Sequence, residues 1–242
     1  MINMTLHNKE HPGLYPLFLV GLTGSMGCGK SVVGQMLSQW GARVIDTDQI
    51  ARQVIAPGSA GLKAVISRFG SHFLERNPAS PPPGLDRKKM AAHIFSHPED
   101  RIAYESMLHV WILQTIRAQL LHLLQSLQHA TEIPTQIAIL EVPLLFESGW
   151  DQLCDLTVTV ACGQQQWQRL ASRHSMSDTV KRQVLAVQLP EAEKKRQASH
   201  IIDNSGSLEA TTLQVKHFWT ECQRLAHHHR RPLWPEIAAE NH

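Results

Sequence analysis

Five short apolar runs, separated by polar stretches with helical periodicity, set the rhythm of this chain. Leu17-Phe18-Leu19-Val20-Gly21-Leu22 is continuous rather than alternating, the pattern of a parallel strand buried on both faces. Ala42-Arg43-Val44-Ile45, Ile137-Ala138-Ile139-Leu140, Leu156-Thr157-Val158-Thr159-Val160 and His200-Ile201-Ile202 predict four more strands. Between the first two, the segment from Ser31 to Trp40 sets Val32 or Val33, Met36, Leu37 and Trp40 at helical spacing. From about residue 59 to about 129 the reading is mostly helical. The clearest helix there carries Leu108, Ile112, Ile116, Leu120, Leu123 and Leu127 on one stripe. The run from Asn77 to Gly84, with four prolines and a glycine, holds no regular structure and marks a surface loop. Strands alternating with helices predict an α/β fold, a five-stranded parallel sheet wound on both faces. Ligands then belong at the carboxyl ends of the strands. Thr23, the Asp46-Thr47-Asp48 segment and Glu141-Val142-Pro143 all fall at such ends and are expected to converge there.

The strongest chemical signal sits directly after the first of these strands. Gly24-Ser25-Met26-Gly27-Cys28-Gly29-Lys30-Ser31 is a complete phosphate-binding loop, placed between a strand and a helix as such a loop must be. Gly24, Gly27 and Gly29 allow positive φ, so that successive amides turn toward one point. The helix that follows, with Val32 in its first turn, adds unpaired N–H donors and the positive end of its dipole. Lys30 is expected to reach the β- and γ-phosphates, and the Ser31 hydroxyl to ligate Mg²⁺. Cys28, at a helix start beside Lys30, stands where a thiolate is favoured, and is expected to be reactive.

Two carboxylates compete for roles at the other strand ends. Asp48 can accept a proton from a phosphoryl acceptor, or it can cap the helical stretch starting at Gln49. Glu141 can lie near Mg²⁺, or it can bond neighbouring loop amides. Glu147 is a weaker candidate for the same work. Further on, Arg169 and Arg173 lie four apart and share one helix face. With Lys181, Arg182 and the run Lys194-Lys195-Arg196 they read as a mobile basic flap that closes over a triphosphate. His109 lies on the long helix as a substrate contact or as a boundary residue. His227-His228-His229 with Arg230-Arg231 reads as a flexible polar tail, because it lacks the spaced ligands of a structural zinc site.

Composition narrows the classes that remain. At 242 residues the chain suits one α/β core with insertions or small lobes. A net charge of +2 gives no strong field for nucleic acid, so one small polyanion is the expected partner. Four dispersed cysteines without a C-x-x-C pair suit a reducing cytoplasm. No apolar run is long enough to span a membrane, and the first residues lack the order of a secretory signal. A monomer or weak homo-oligomer is expected. The open alternatives are a kinase for another metabolite or nucleoside monophosphate and, in a different class, a nucleotide-dependent switch or assembly ATPase. A guanine-specific switch would need an Asn-Lys-x-Asp loop, which the chain lacks.

Several ordered segments together resemble the dephospho-coenzyme A kinase family. They are Gly21-Leu22-Thr23-Gly24 running into the phosphate loop, Val44-Ile45-Asp46-Thr47-Asp48 with Arg52, Asp86-Arg87 with Ile94-Phe95, and Val142-Pro143-Leu144-Leu145-Phe146-Glu147. Gln168-Arg169-Leu170 with Arg173, Gln188-Leu189-Pro190 with Lys194, and Ile202-Asp203-Asn204 complete the set. The resemblance implies transfer of the γ-phosphoryl of ATP to the ribose 3′-hydroxyl of dephospho-coenzyme A, with Mg²⁺. It implies a P-loop core with a helical acceptor lobe at about 59–129 and a small helical lid at about 164–196, the whole domain spanning 17–222. Residues 1–16 and 223–242 are then terminal extensions. Asp48 matches the family's base, Lys30 and Ser31 the triphosphate and metal contacts, and Arg169 and Arg173 the lid. Thr23, Arg52, His109, Pro143 and Leu144 match the acceptor side, and Asn204 lies in a loop near the adenine. The family's usual loop reads Gly-Gly-Ile-Gly-Ser-Gly-Lys-Ser, so Ser25, Met26 and Cys28 are departures, and Val110 stands where the family has proline.

Overall fold

The computed structural model describes residues 14–75, 82–125, 135–172 and 178–234. Element order is β1 (Leu14–Tyr15), β2 (Leu17–Thr23), α1 (Lys30–Gln39), β3 (Arg43–Asp46), α2 (Thr47–Val54), α3 (Ala60–Phe69), α4 (Arg87–Ser96) and α5 (Pro98–Gln125). Then follow β4 (Gln136–Glu141), β5 (Leu156–Ala161), α6 (Gln165–Ala171), α7 (Asp178–Ala186), α8 (Glu191–Gln197), β6 (His200–Asp203), α9 (Leu208–Ala226) and β7 (Arg231–Pro232). The chain divides into two compact units. Among the described residues, one holds 14–46 and 123–233, and the other holds 47–122 with Trp234.

The first unit is built on the five predicted strands, all parallel, in the order β3-β4-β2-β5-β6. Central β2 buries every residue, and that accounts for its unbroken apolar run. One face of the sheet packs Val20, Ile139, Val158 and Ile202 against Val33 and Leu37 of α1 and Val215 and Phe218 of α9. On β2 the alternate residues, Leu17 and Leu19, are equally buried, and Gly21 lies against Leu145 and Cys154. The register sets Leu22 opposite Glu141 and Asp46 opposite Glu141, so the ends of three strands are level. That is the alignment the carboxyl-end rule requires.

A second, two-stranded antiparallel sheet joins β1 to β7, with Leu14 opposite Pro232 and Tyr15 opposite Arg231. This corrects the expectation of a flexible polar tail around His227–Arg231. Arg231 donates to Asp155 Oδ2 at 2.9 Å and to the Leu153 carbonyl, while Asp155 also accepts from the Leu19 amide at 2.7 Å. Arg230 bonds Thr135, and His229 sits edge-on to Phe18.

The second unit is helical. In α5, the residues Ile112, Ile116, Leu120 and Leu124 are buried, whereas Leu108 and Leu123 are only partly so, and Leu127 lies outside the described residues. Ser59 caps α3 through the Leu62 amide, and Asp86 caps α4 through the Lys89 amide. Most of the proline-rich run at 77–84 also lies outside the described residues. Among the described residues, no helix is long and apolar enough to cross a membrane.

Candidate active site

The loop from Gly24 to Gly29 joins β2 to α1 with positive φ at all three predicted glycines. At Gly24 a Cβ would collide with the Val160 carbonyl, so the loop lies on the end of β5 only because that atom is missing. Gly29 precedes α1 in the left-handed region with no side-chain cap, and the first turn of α1 holds no acidic residue. No side-chain cap or first-turn carboxylate therefore competes with an anion for its leading amides.

Lys30 and Ser31 meet the carboxylate that the sequence paired with the metal. Lys30 Nζ lies 2.8 Å from Glu141 Oε1, and Ser31 Oγ donates to the same oxygen at 3.1 Å. Both charged side chains are largely buried, 13% and 7% exposed, so the pair acts in a weakened dielectric. Gly34, one turn along α1, leaves room for the other Glu141 oxygen, which a Cβ there would meet at 3.0 Å. A hydroxyl and a carboxylate within hydrogen-bond reach are hard oxygen donors of the kind Mg²⁺ takes, usually alongside waters and phosphate oxygens.

The rest of the loop is braced from behind. Asn204 Nδ2 donates to the Cys28 carbonyl at 2.8 Å, and Asn204 Oδ1 accepts from Thr211 at 2.9 Å. Its amide thus supports the phosphate loop, a role that sequence similarity to an adenine-side loop did not convey. Met26 is clamped from both sides: its amide donates to Gln188 Oε1 and its carbonyl accepts from Gln166 Nε2, each at 3.0 Å. Sequence reasoning assigned Gln166 and Gln188 no role, because a glutamine's partners leave no trace in spacing. Thr23 Oγ1 donates to the Pro143 carbonyl at 3.2 Å, which places Pro143 and the partly exposed Leu144 at the loop's flank. Ser25 is buried and Val32 is exposed.

The basic flap is largely an ion-pair scaffold, which corrects the reading of Lys194-Lys195-Arg196 as mobile charge. Lys194 is fully buried, 2.8 Å from Glu147 Oε1 and 2.9 Å from the Pro143 carbonyl. Burial pulls its pKa down, and Glu147 opposes that. Lys195 pairs with Glu191 and Arg196 with Glu193, while Lys181 pairs with Asp178. Arg169 differs, since it is held by neutral groups, the Asn204 carbonyl at 2.7 Å and Gln165 Oε1 at 2.9 Å, and keeps its charge uncompensated by these contacts. Arg173 lies outside the described residues. Replacing Lys194 with methionine strands the Glu147 carboxylate. It is expected to cost about 3–5 kcal/mol of stability, read from denaturant unfolding, and Glu147→Gln beside it should recover part of the loss.

Cys28 also departs from expectation. Its side chain is inaccessible, and desolvation, aided by Cys162 and Glu191, pushes its thiol pKa well up. Burial outweighs the helix dipole that was expected to favour a thiolate. Iodoacetamide is therefore expected to leave Cys28 unmodified in the native protein and to label it only after denaturation, as followed by peptide mass spectrometry.

In the helical unit, α2 begins at Thr47, two residues earlier than the sequence suggested. Asp48 is thus an exposed first-turn residue rather than the residue preceding the helix. Arg52, also exposed, follows one turn later, so the two share a helix face. His109 is half-buried in α5, and burial lowers its pKa.

Comparison with known proteins supplies the deciding observation. The family model for dephospho-CoA kinase matches residues 18–210, a span that contains every element from β2 into α9. The chain belongs to the dephospho-CoA kinase family. A dephospho-CoA kinase of Syntrophotalea carbinolica is 34% identical over 200 residues, covering 82% of this chain and 89% of the relative. A dephospho-CoA kinase domain-containing protein of Danio rerio is 38% identical over 202 residues, covering 82% of each. A crystal structure from Thermus thermophilus superimposes with a TM-score of 0.64 at 31% identity, covering 85% of this chain and 97% of that one. Membership makes the chain a kinase of coenzyme A biosynthesis, with dephospho-CoA as acceptor and ATP as the donor the family implies. The family match disfavours the alternatives of a kinase for another metabolite or nucleoside monophosphate and of a nucleotide-dependent switch or assembly ATPase.

Proposed function

We propose that the chain transfers the γ-phosphoryl of ATP to the ribose 3′-hydroxyl of dephospho-CoA, using the phosphate loop, Lys30, Ser31, Glu141, Arg169, Arg173 and Asp48. The observation that carries this reading is the Lys30–Glu141–Ser31 triangle at the level ends of β2 and β4, in a chain of this family. The triphosphate lies along the loop amides from Gly24 to Val32. Lys30 exchanges Glu141 for the β- and γ-phosphates, and the released carboxylate together with Ser31 Oγ would hold Mg²⁺. That ion, when bound, supplies positive charge to the phosphate oxygens.

Asp48 takes the acceptor hydroxyl's proton. A carboxylate is a weak base toward an alcohol, so alignment and charge stabilisation carry most of the rate. The guanidinium of Arg169, whose described partners are neutral groups, supports the transferring phosphoryl together with Arg173. Thr23, Arg52, His109, Pro143 and Leu144 contact the acceptor. The helical segment at about 59–129 serves as acceptor lobe and that at about 164–196 as lid, within a domain of residues 17–222. A cytoplasmic monomer or weak homo-oligomer without nucleic-acid or membrane partners completes the reading.

The test is incubation with ATP, Mg²⁺ and dephospho-CoA, followed by mass spectrometry and phosphorus NMR of the product. One added phosphoryl group on the 3′ oxygen is expected. Phosphorylation at another position, or none with this acceptor while another small alcohol is phosphorylated, overturns it.

A further inference from the structure

At the phosphate loop, three potential metal ligands converge from three segments. Cys28 comes from the loop, Cys162 follows β5, and Glu191 opens α8. Their two sulfurs and a carboxylate oxygen all lie within 4.8 Å of one another, and Cys28 Sγ is 3.7 Å from Glu191 Oε2. Both cysteines are fully buried. Glu191 is locked in place by the amides of Cys162 and Gly163, at 2.8 Å and 3.1 Å from Oε2, and by Lys195 at 3.2 Å from Oε1.

We infer that Cys28, Cys162 and Glu191 form a binding site for one thiophilic divalent cation of the zinc class. A tetrahedral zinc ion with sulfur at about 2.3 Å and oxygen at about 2.1 Å holds those ligands about 3.6 Å apart, so the observed sulfur–oxygen separation already suits it. Three protein ligands leave a fourth position for water. Two thiolates and one carboxylate carry three negative charges, which the divalent ion and the Lys195 ammonium together balance. Thiolates select against Mg²⁺, so this site is chemically distinct from the oxygen donors Ser31 and Glu141. An ion here pins the phosphate loop to the ends of β5 and the start of α8.

The full chain is titrated with Co²⁺ in excess Mg²⁺, and then with Zn²⁺. One equivalent of Co²⁺ is expected to produce a sulfur-to-cobalt charge-transfer band in the near ultraviolet, which one equivalent of Zn²⁺ abolishes. Cys162→Ser is expected to lose at least half of the band and to weaken Zn²⁺ binding about tenfold or more, with kinase activity in zinc-free Mg²⁺ buffer unchanged. Zinc X-ray absorption of the wild-type protein, which needs no variant, is expected to show two sulfur scatterers at about 2.3 Å. Absence of the band, its survival at full intensity in Cys162→Ser, or a zinc shell of nitrogen and oxygen alone, as the His227–His229 cluster would give, overturns the site.

Discussion

Asp48→Asn is expected to lower kcat by about 10²–10⁴, the usual worth of a positioned general base, while ATP affinity changes by no more than about threefold. Asparagine preserves the size of the side chain and an acceptor oxygen but cannot take a proton. Asp48 lies in the first turn of α2 and is exposed, so removing its charge also costs about 0.3–1 kcal/mol of interaction with the helix dipole. The two roles therefore predict opposite patterns. A base gives a large loss of turnover with a small change in melting temperature, whereas a purely structural aspartate gives the small change in melting temperature alone. Steady-state kinetics with ATP titrated calorimetrically distinguishes them, and unchanged kcat returns Asp48 to the helix.

Lys30→Ala is expected to reduce kcat/KM for ATP by about 10²–10³, because in the proposed function the ammonium moves from Glu141 to the developing phosphate charge. The same change removes the Lys30 ammonium from Glu141, which keeps its Ser31 contact. Stability should therefore fall as well, by less than a fully buried pair would cost, since Lys30 is 13% exposed. Adding Glu141→Gln separates the two effects. The double variant is expected to regain stability relative to Lys30→Ala, as measured by denaturant unfolding, and to regain no activity. Recovery of activity in the double variant would mean that Lys30 serves only to neutralise Glu141.

The core was legible because its strands are buried on both faces. A strand such as β2 must be apolar at every position, and no competing element reads as a six-residue run of that kind flanked by a glycine loop. The phosphate loop was legible for a related reason, since its backbone conformation demands glycine at set intervals. Partnership was not legible. Lys194 and Glu147 are far apart in sequence, and nothing in either segment records that one neutralises the other. A run of lysines and arginines was accordingly read as mobile charge when most of it is paired. Cys28 was misjudged because the sequence reveals its nearness to a helix start but not its depth. The start of α2 was placed late because Asp46, Thr47 and Asp48 are all residues that can precede or open a helix. The β1–β7 pair could not be seen at all, because two rungs that include a proline carry no periodic signature.

That short seam has a consequence for how the molecule assembles. Its two strands come from opposite ends of the described chain, so ring closure spans nearly the whole polypeptide for the return of two rungs. Contacts so distant in sequence form late, after the parallel sheet has gathered its nearer partners. With only two rungs, the seam is expected to open at low free energy, held chiefly by the Arg231–Asp155 clasp that fastens it to the main sheet. In native-state hydrogen exchange, the amides of Leu14, Tyr15 and Arg231 are expected to exchange faster than those of buried β2, whose protection should approach that of global unfolding.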